Sequence, residues 1–215
     1  MTPRVALVAN ALPRLGGQGH MVTHWVDALS PEFAPTVYGA APERRSFAAA
    51  LLTSLPLLRR RRDLITWWTD RAFDRAVARA IGPVDLMIGI NGHCLDTARR
   101  LGRSGGKVVV SVITEAGDRF FRAGVAACAT FGAVFPVRPA HVRQMQLECQ
   151  EADLVCANSR MVQRQLIDDG IPPARVMAQP PVLFATDPPR AAPPDTFRVG
   201  FVGSLEPWKG FHHLV

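Results

Sequence analysis

The sequence predicts a doubly wound α/β fold built on a mostly parallel sheet. Three observations predict it. Short, continuous apolar runs alternate with longer segments whose apolar residues recur at helical spacing. Several of those runs end in glycine-rich or polar loops just before the next helix. A proline-rich stretch then divides this alternating part from a last strand-loop-helix start. Continuous apolar runs of strand length suit strands buried on both faces, and helical crossovers make such strands parallel.

Arg4 to Asn10 (RVALVAN) is the first such run. A loop, ALPRLGGQG, follows it, then a helix from about His20 to Leu29. Met21, Val22, Trp25, Val26 and Leu29 give that helix one apolar face. Ala34 to Tyr38 is a short second strand. Ser46 to Ile81 reads as helical in two parts, with Pro56 bending or ending the first and Arg59 to Arg62 between them. Val84 to Ile90 is the third strand and ends in the loop Asn91-Gly92-His93. A helix runs from there to about Arg103. Lys107 to Ile113 is the fourth strand, and Thr114, Glu115, Gly117 and Asp118 lie in its loop. Phe120 to Pro136 is open between loop and helix. Pro139 to Glu151 reads as helix, and Asp153 to Ala157 as the fifth strand. Asn158 or Ser159 caps a helix that Gly170 ends, and Ala174 to Ala178 is a sixth short strand.

From Gln179 to Thr196 the composition changes. Six prolines make a stiff connection without strand character. The expected organisation is therefore a first domain over 1–180, a linker over 181–196, and the start of a second domain over 197–215. In that last part Phe197 to Val202 is a strand, Gly203 to Trp208 a tight loop, and Lys209 opens a helix. Its strand and half-helix cannot bury their own apolar faces, so the second domain is expected to be truncated at Val215.

The 48% apolar content over 215 residues supports a real core and argues against disorder. The net charge of +7 favours anionic partners, and Lys107 and Lys209 are the only lysines, so arginine carries it. An arginine-rich chain also fits a simple bias of composition. Cys94, Cys128, Cys149 and Cys156 lie far apart and form no CxxC motif or Cys/His cluster, which disfavours a zinc or redox site and suits a reducing, cytoplasmic setting. His212 and His213 lack a neighbouring ligand and read as an exposed helix face. No apolar run is long enough to span a bilayer.

In a parallel sheet, ligands collect at the carboxyl ends of the strands. The candidate residues lie there. Gly16-Gly17-Gln18-Gly19 could let backbone N–H groups cradle a phosphate at a helix start, or simply make a tight turn. It lacks the G-x-G-x-x-G spacing, and no acidic residue ends the second strand, so a nicotinamide enzyme is disfavoured. His93 suits a base or hydrogen-bond donor, or is a turn histidine. Glu115 and Asp118 suit an acid/base pair, or are solvated loop carboxylates. Gly203, Ser204 and Lys209 could hold an anion with backbone N–H groups and one fixed cation. Arg59, Arg60, Arg61 and Arg62, followed by Ile65, Trp67 and Trp68, suit an anionic membrane surface or a solvated helix turn. Nucleic acid is disfavoured, since no aromatic-basic stacking platform recurs.

Three segments together resemble a retaining glycosyltransferase of the GT-B fold, family 4 type. They are RVALVANALPRLGGQGHMVTHWVDAL, EADLVCANSRMVQRQLIDDGIPPARVMAQPPV and FRVGFVGSLEPWKGFHHLV. The resemblance implies an N-terminal, acceptor-side Rossmann-like domain followed by the opening of a nucleotide-sugar-binding domain. It implies transfer of a sugar from a nucleotide donor to a saccharide or lipid-linked acceptor, with no cofactor and no metal. Gly16, Gly17, Gly203, Ser204 and Lys209 would contact the donor's phosphates, Lys209 stabilising the leaving diphosphate. His93 and Glu115 would lie near the acceptor. Ser204 stands where many members carry arginine, and Pro180-Pro181-Val182 replaces their P-N-G-V. Because most of the donor domain would follow Val215, the chain alone is expected to be weakly active or inactive. The competing expectation is a non-catalytic remnant that binds a membrane surface or a partner. Location is expected to be cytoplasmic, free or at the inner membrane face.

Overall fold

Strand burial dominates the centre of the architecture, where four of the apolar runs are buried along almost their whole length. The computed structural model of the chain describes residues 2–11, 16–39, 62–114, 117–180 and 209. Among these, six strands form one sheet: β1 (Val5–Ala9), β2 (Thr36–Gly39), β3 (Leu86–Ile90), β4 (Lys107–Val112), β5 (Leu154–Ala157) and β6 (Val176–Ala178). Their order is β2-β1-β3-β4-β5-β6, and every neighbouring pair is parallel. Six α-helices accompany them: α1 (Gly16–Leu29), α2 (Arg62–Ala80), α3 (Leu95–Arg103), α4 (Asp118–Ala129), α5 (Pro139–Glu151) and α6 (Arg160–Asp168). A 3₁₀ turn, Pro173–Arg175, leads into β6. The chain therefore has the doubly wound, Rossmann-like α/β fold, with an all-parallel sheet among the described residues.

Alternation along the strands explains how both faces are covered. Ala6 and Val8 of β1, Met87 of β3, Val108, Val110 and Val112 of β4, and Val155 and Ala157 of β5 meet one set of helices. Those helices contribute Val77 of α2, Ala98 and Leu101 of α3, Met145 and Cys149 of α5, and Val162 and Leu166 of α6. Ala9 and Ile90, one register step out of phase, meet Met21 and Val22 of α1 on the other face. Each buried valine of β4 contributes about 1.5–3 kcal/mol, so the sheet centre outweighs any single polar contact described below.

Most expected elements stand within two residues of their predicted bounds. α5 coincides with its prediction. Ser159 is the cap of α6, its hydroxyl accepting from the Val162 N–H at 3.2 Å. Gly170 ends that helix with φ 94°. Three differences have physical causes. Gly16 and Gly17 form the first turn of α1 and not a loop, since a helix start tolerates glycine where its N–H groups have no intrahelical partner. The open segment 120–136 contains α4, which begins at Asp118. Phe135 lies over it at Gly124, where an added Cβ would stand 2.4 Å from the ring. β3 starts at Leu86, because the Asp85 carboxylate instead accepts the Arg4 N–H at 2.7 Å at the sheet margin. The expected helix over 46–58, Pro56, Arg59 to Arg61, the linker over 181–196 and the strand over 197–202 lie outside the described residues.

Candidate functional site: the crevice between β1 and β3

The chain leaves β1 toward one edge of the sheet and later returns to place β3 on the other side of β1. Loops leaving β1 and β3 therefore diverge, and a doubly wound sheet opens its ligand crevice at such a point. The residues at this point are Asn10 after β1 and Asn91-Gly92-His93-Cys94 after β3. α2 and α5 supply the side chains packed against them.

His93 joins the two loops. The Asn10 backbone N–H donates to His93 Nδ1 at 3.2 Å, which places the neutral ring's proton on Nε2. His93 Nε2 lies 3.6 Å from Asp70 Oδ1, and Asn10 Nδ2 donates to the same Asp70 oxygen at 2.6 Å. The other Asp70 oxygen is 4.0 Å from His141 Nε2. Burial pulls the His141 pKa below its usual range, with Asp70 opposing, so His141 sits there as a neutral ring. His93 and Asp70 are each 4% exposed. The ring of His93 thus faces protein groups, and it fixes the floor of the crevice.

A second knot holds the start of α3. Cys94 is its N-cap residue and offers no side-chain cap. Two carboxylates from other helices replace one. Asp74 of α2 accepts the N–H groups of Asp96 (2.7 Å) and Thr97 (3.0 Å) and the Thr97 hydroxyl (2.7 Å). Glu148 of α5 accepts the N–H groups of Gly92 and Cys94 (3.0 Å), and the side-chain amides of Gln144 (3.1 Å) and Asn91 (3.1 Å). Both carboxylates are fully buried. Burial raises the Asp74 pKa, against the hydrogen bonds from Asp96 and Thr97. It raises Glu148 to about 7, against the Gly92, Cys94 and Gln144 donors.

These contacts distinguish two helix starts. The N-terminus of α3 is occupied by protein carboxylates, so its backbone donors are spent. The first turn of α1, beginning at Gly16-Gly17, contains no acidic residue.

Among the predicted site residues, Gly16 and Gly17 open α1, the helix after β1, and His93 lies in the loop after β3. Lys209 is exposed. Glu115, Gly203 and Ser204 lie outside the described residues. Asp118, the expected partner of Glu115, is an exposed residue in the first turn of α4. On the expected membrane-facing element, Trp68 is exposed and packs edge-on against Trp67, with ring centroids 5.2 Å apart. All four cysteines are buried and none is in a disulfide, and burial pushes Cys149 up to about 12. Among the described residues no group of three or more histidines, cysteines or carboxylates is placed to hold a metal, and no helix is long and apolar enough to cross a membrane.

Sequence reasoning missed Asn10, Asp70, Asp74, His141 and Glu148. A signal existed. His141, Gln144 and Glu148 share an inward stripe with Val142, Met145 and Cys149, and Asp70 and Asp74 stand one turn apart on α2. Polar residues recurring on a buried stripe require partners.

No known protein family matches the chain, and no curated protein does. Among solved structures, it is similar to a Listeria monocytogenes protein assigned as a UDP-N-acetylglucosamine 2-epimerase, at 12% identity and a TM-score of 0.47, over 82% of this chain and 44% of that one. It is also similar to LpCGTa, solved in complex with UDP, at 11% identity and a TM-score of 0.40, over 87% of this chain and 56% of that one. The chain thus spans about half the length of either. The strand order and parallel register stand independently of these likenesses.

Proposed function

We propose that this chain is the acceptor-side half of a nucleotide-sugar-dependent transferase of the GT-B type, retaining and similar to family 4. The observation that carries the reading is the pairing of two unlike helix starts at the β1/β3 crevice. The α3 start is neutralised by Asp74 and Glu148, while the α1 start at Gly16-Gly17 has no acidic residue. A diphosphate then has one favourable place to lie along this edge. In this reading Gly16 and Gly17 donate backbone N–H groups to the donor's phosphates. Gly203, Ser204 and Lys209 complete that contact, and Lys209 balances charge as the diphosphate departs. His93, held by Asn10 and Asp70, keeps the β1 loop at its distance from the acceptor, and Glu115 lies on the acceptor side. The acceptor is a saccharide or a lipid-linked saccharide. No metal ion enters the scheme.

Titration of the 215-residue chain with UDP, GDP and ADP, followed by ligand-observed NMR at millimolar concentration, tests it. One of the three should give saturable contacts to its phosphate-proximal ribose protons, and Gly17→Asp should abolish them by placing a carboxylate at the α1 start. Absence of binding by all three, or binding untouched by Gly17→Asp, would overturn the reading. If the chain instead floats with anionic vesicles and binds no nucleotide, the membrane-surface reading through Arg59 to Arg62 and Trp68 replaces it.

A further inference from the structure

α2 and α3 each run back from the carboxyl edge of the sheet toward the amino end of the next strand. Their last turns therefore meet at the amino edge, away from the crevice. An open groove lies between them, lined by Arg75 and Arg79 of α2 and by Arg99, Arg100 and Arg103 of α3. Asp96 is its one lining carboxylate.

The partners of these arginines divide them. Asp96 is shared by Arg75 at 3.7 Å and Arg71 at 3.6 Å. Arg99 pairs with Glu151 at 2.6 Å. The Arg100 guanidinium donates to the Ala78 carbonyl at 2.6 Å and so caps the end of α2. Arg79 and Arg103 have no acidic partner among the described residues. They stand on opposite walls, one on each helix. A cation near a helix C-terminus is ordinarily favourable, and that accounts for one arginine per helix end. Five converging on a single groove repel one another, and Asp96 and Glu151 offset only Arg75 and Arg99 among them.

We propose that this groove is a binding site for a soluble anion carrying two or more linked phosphates. Arg79 and Arg103 each engage one phosphate, and Arg75 and Arg100 flank them. Guanidinium is the fitting group, because its planar fork matches phosphate oxygens in pairs. The lining disfavours the other polyanions. Among the described residues, none of the exposed large apolar side chains lines the groove to serve as an interfacial anchor for a membrane. No aromatic ring of the described residues lines it either, as a platform for nucleic-acid bases would require. The groove reaches Asp96 in the first turn of α3, but Arg79 and Arg103 lie in the last turns of their helices, and the proposal does not depend on the transferase reading.

Calorimetric titration of the 215-residue chain with inorganic tripolyphosphate tests the proposal, beside a thermal melt with and without it. Saturable binding that weakens with added salt is expected, with a raised melting temperature. The double variant Arg79→Ser/Arg103→Ser should bind roughly tenfold or more weakly, as loss of charged hydrogen bonds implies. Its ligand-free melt should stay within a few degrees of the parent, because neither side chain has an acidic partner among the described residues and only a modest helix-end contribution is lost. Gly17→Asp should leave the binding intact. Unchanged affinity in the arginine variant overturns the proposal. So does binding that Gly17→Asp abolishes, or an equal rise in melting temperature from sulfate at matched ionic strength. Binding only to anionic vesicles or only to DNA also overturns it.

Discussion

Glu148 gathers four N–H donors from two segments, the loop after β3 and its own helix, on one buried carboxylate. Its folded pKa of about 7 lies above the ordinary 4.5. A carboxyl that holds its proton more tightly when folded contributes its stability fully below 4.5 and loses it as pH rises to about 7. The loss amounts to about 3 kcal/mol across that window. Glu148→Gln keeps the shape and cannot ionise. The difference in urea midpoint between parent and variant should therefore shift in the variant's favour as pH rises through the window. A difference independent of pH would show that Glu148 does not titrate there. Gly92, which donates to the same carboxylate, has φ 97°, and an added Cβ would stand 2.7 Å from His141 Nε2. Gly92→Ala should cost about 1–3 kcal/mol in urea denaturation from backbone strain alone. His141→Ala should recover only the collision part, leaving the strain.

At the scale of elements, α3 shows how a helix can be capped entirely by other helices. Its own N-cap, Cys94, is buried and offers no oxygen, and its thiol pKa is pushed well up, chiefly by burial. Asp74 replaces the missing acceptor from α2. Asp74→Ala should destabilise the protein by about 1–2 kcal/mol, the usual cost of a lost cap. Hydrogen exchange should localise the effect. The amides of Asp96 and Thr97 should exchange faster, while those of β4 should slow or speed only with global unfolding. Equal acceleration in β4 would mean that Asp74 supports the whole core and not the helix start. α6 makes the contrasting case, since Ser159 caps it locally at a position the sequence already marks.

At the scale of the whole molecule, the sheet supplies the cooperativity. β1, β3, β4 and β5 form its centre, and the edges are short: β2 has four residues and β6 three. Short edges offer little backbone for further pairing. The expected boundary after residue 180 can be tested directly. A chain ending at Pro180 should keep one cooperative thermal transition and its far-ultraviolet dichroism per residue, because β6 is the last strand of the sheet among the described residues and lies before that point. A lost or broadened transition would place residues after 180 within the first folding unit.

The sequence alone determined the order and kind of nearly every described element. Val108, Val110 and Val112, or Met21, Val22 and Val26, report a local period that does not depend on what lies across the core. It also marked His93 as a residue of the loop after β3, while Gly16 and Gly17, read as loop, belong to the first turn of α1. Only the tertiary structure decided what those residues meet. Asp70 is 23 positions from His93, and Glu148 is 56 from Gly92. No local period encodes a contact over such separations. Buried carboxylates find their donors when helices pack, so the neutralised start of α3 and the acid-free start of α1 become distinguishable only in the folded chain.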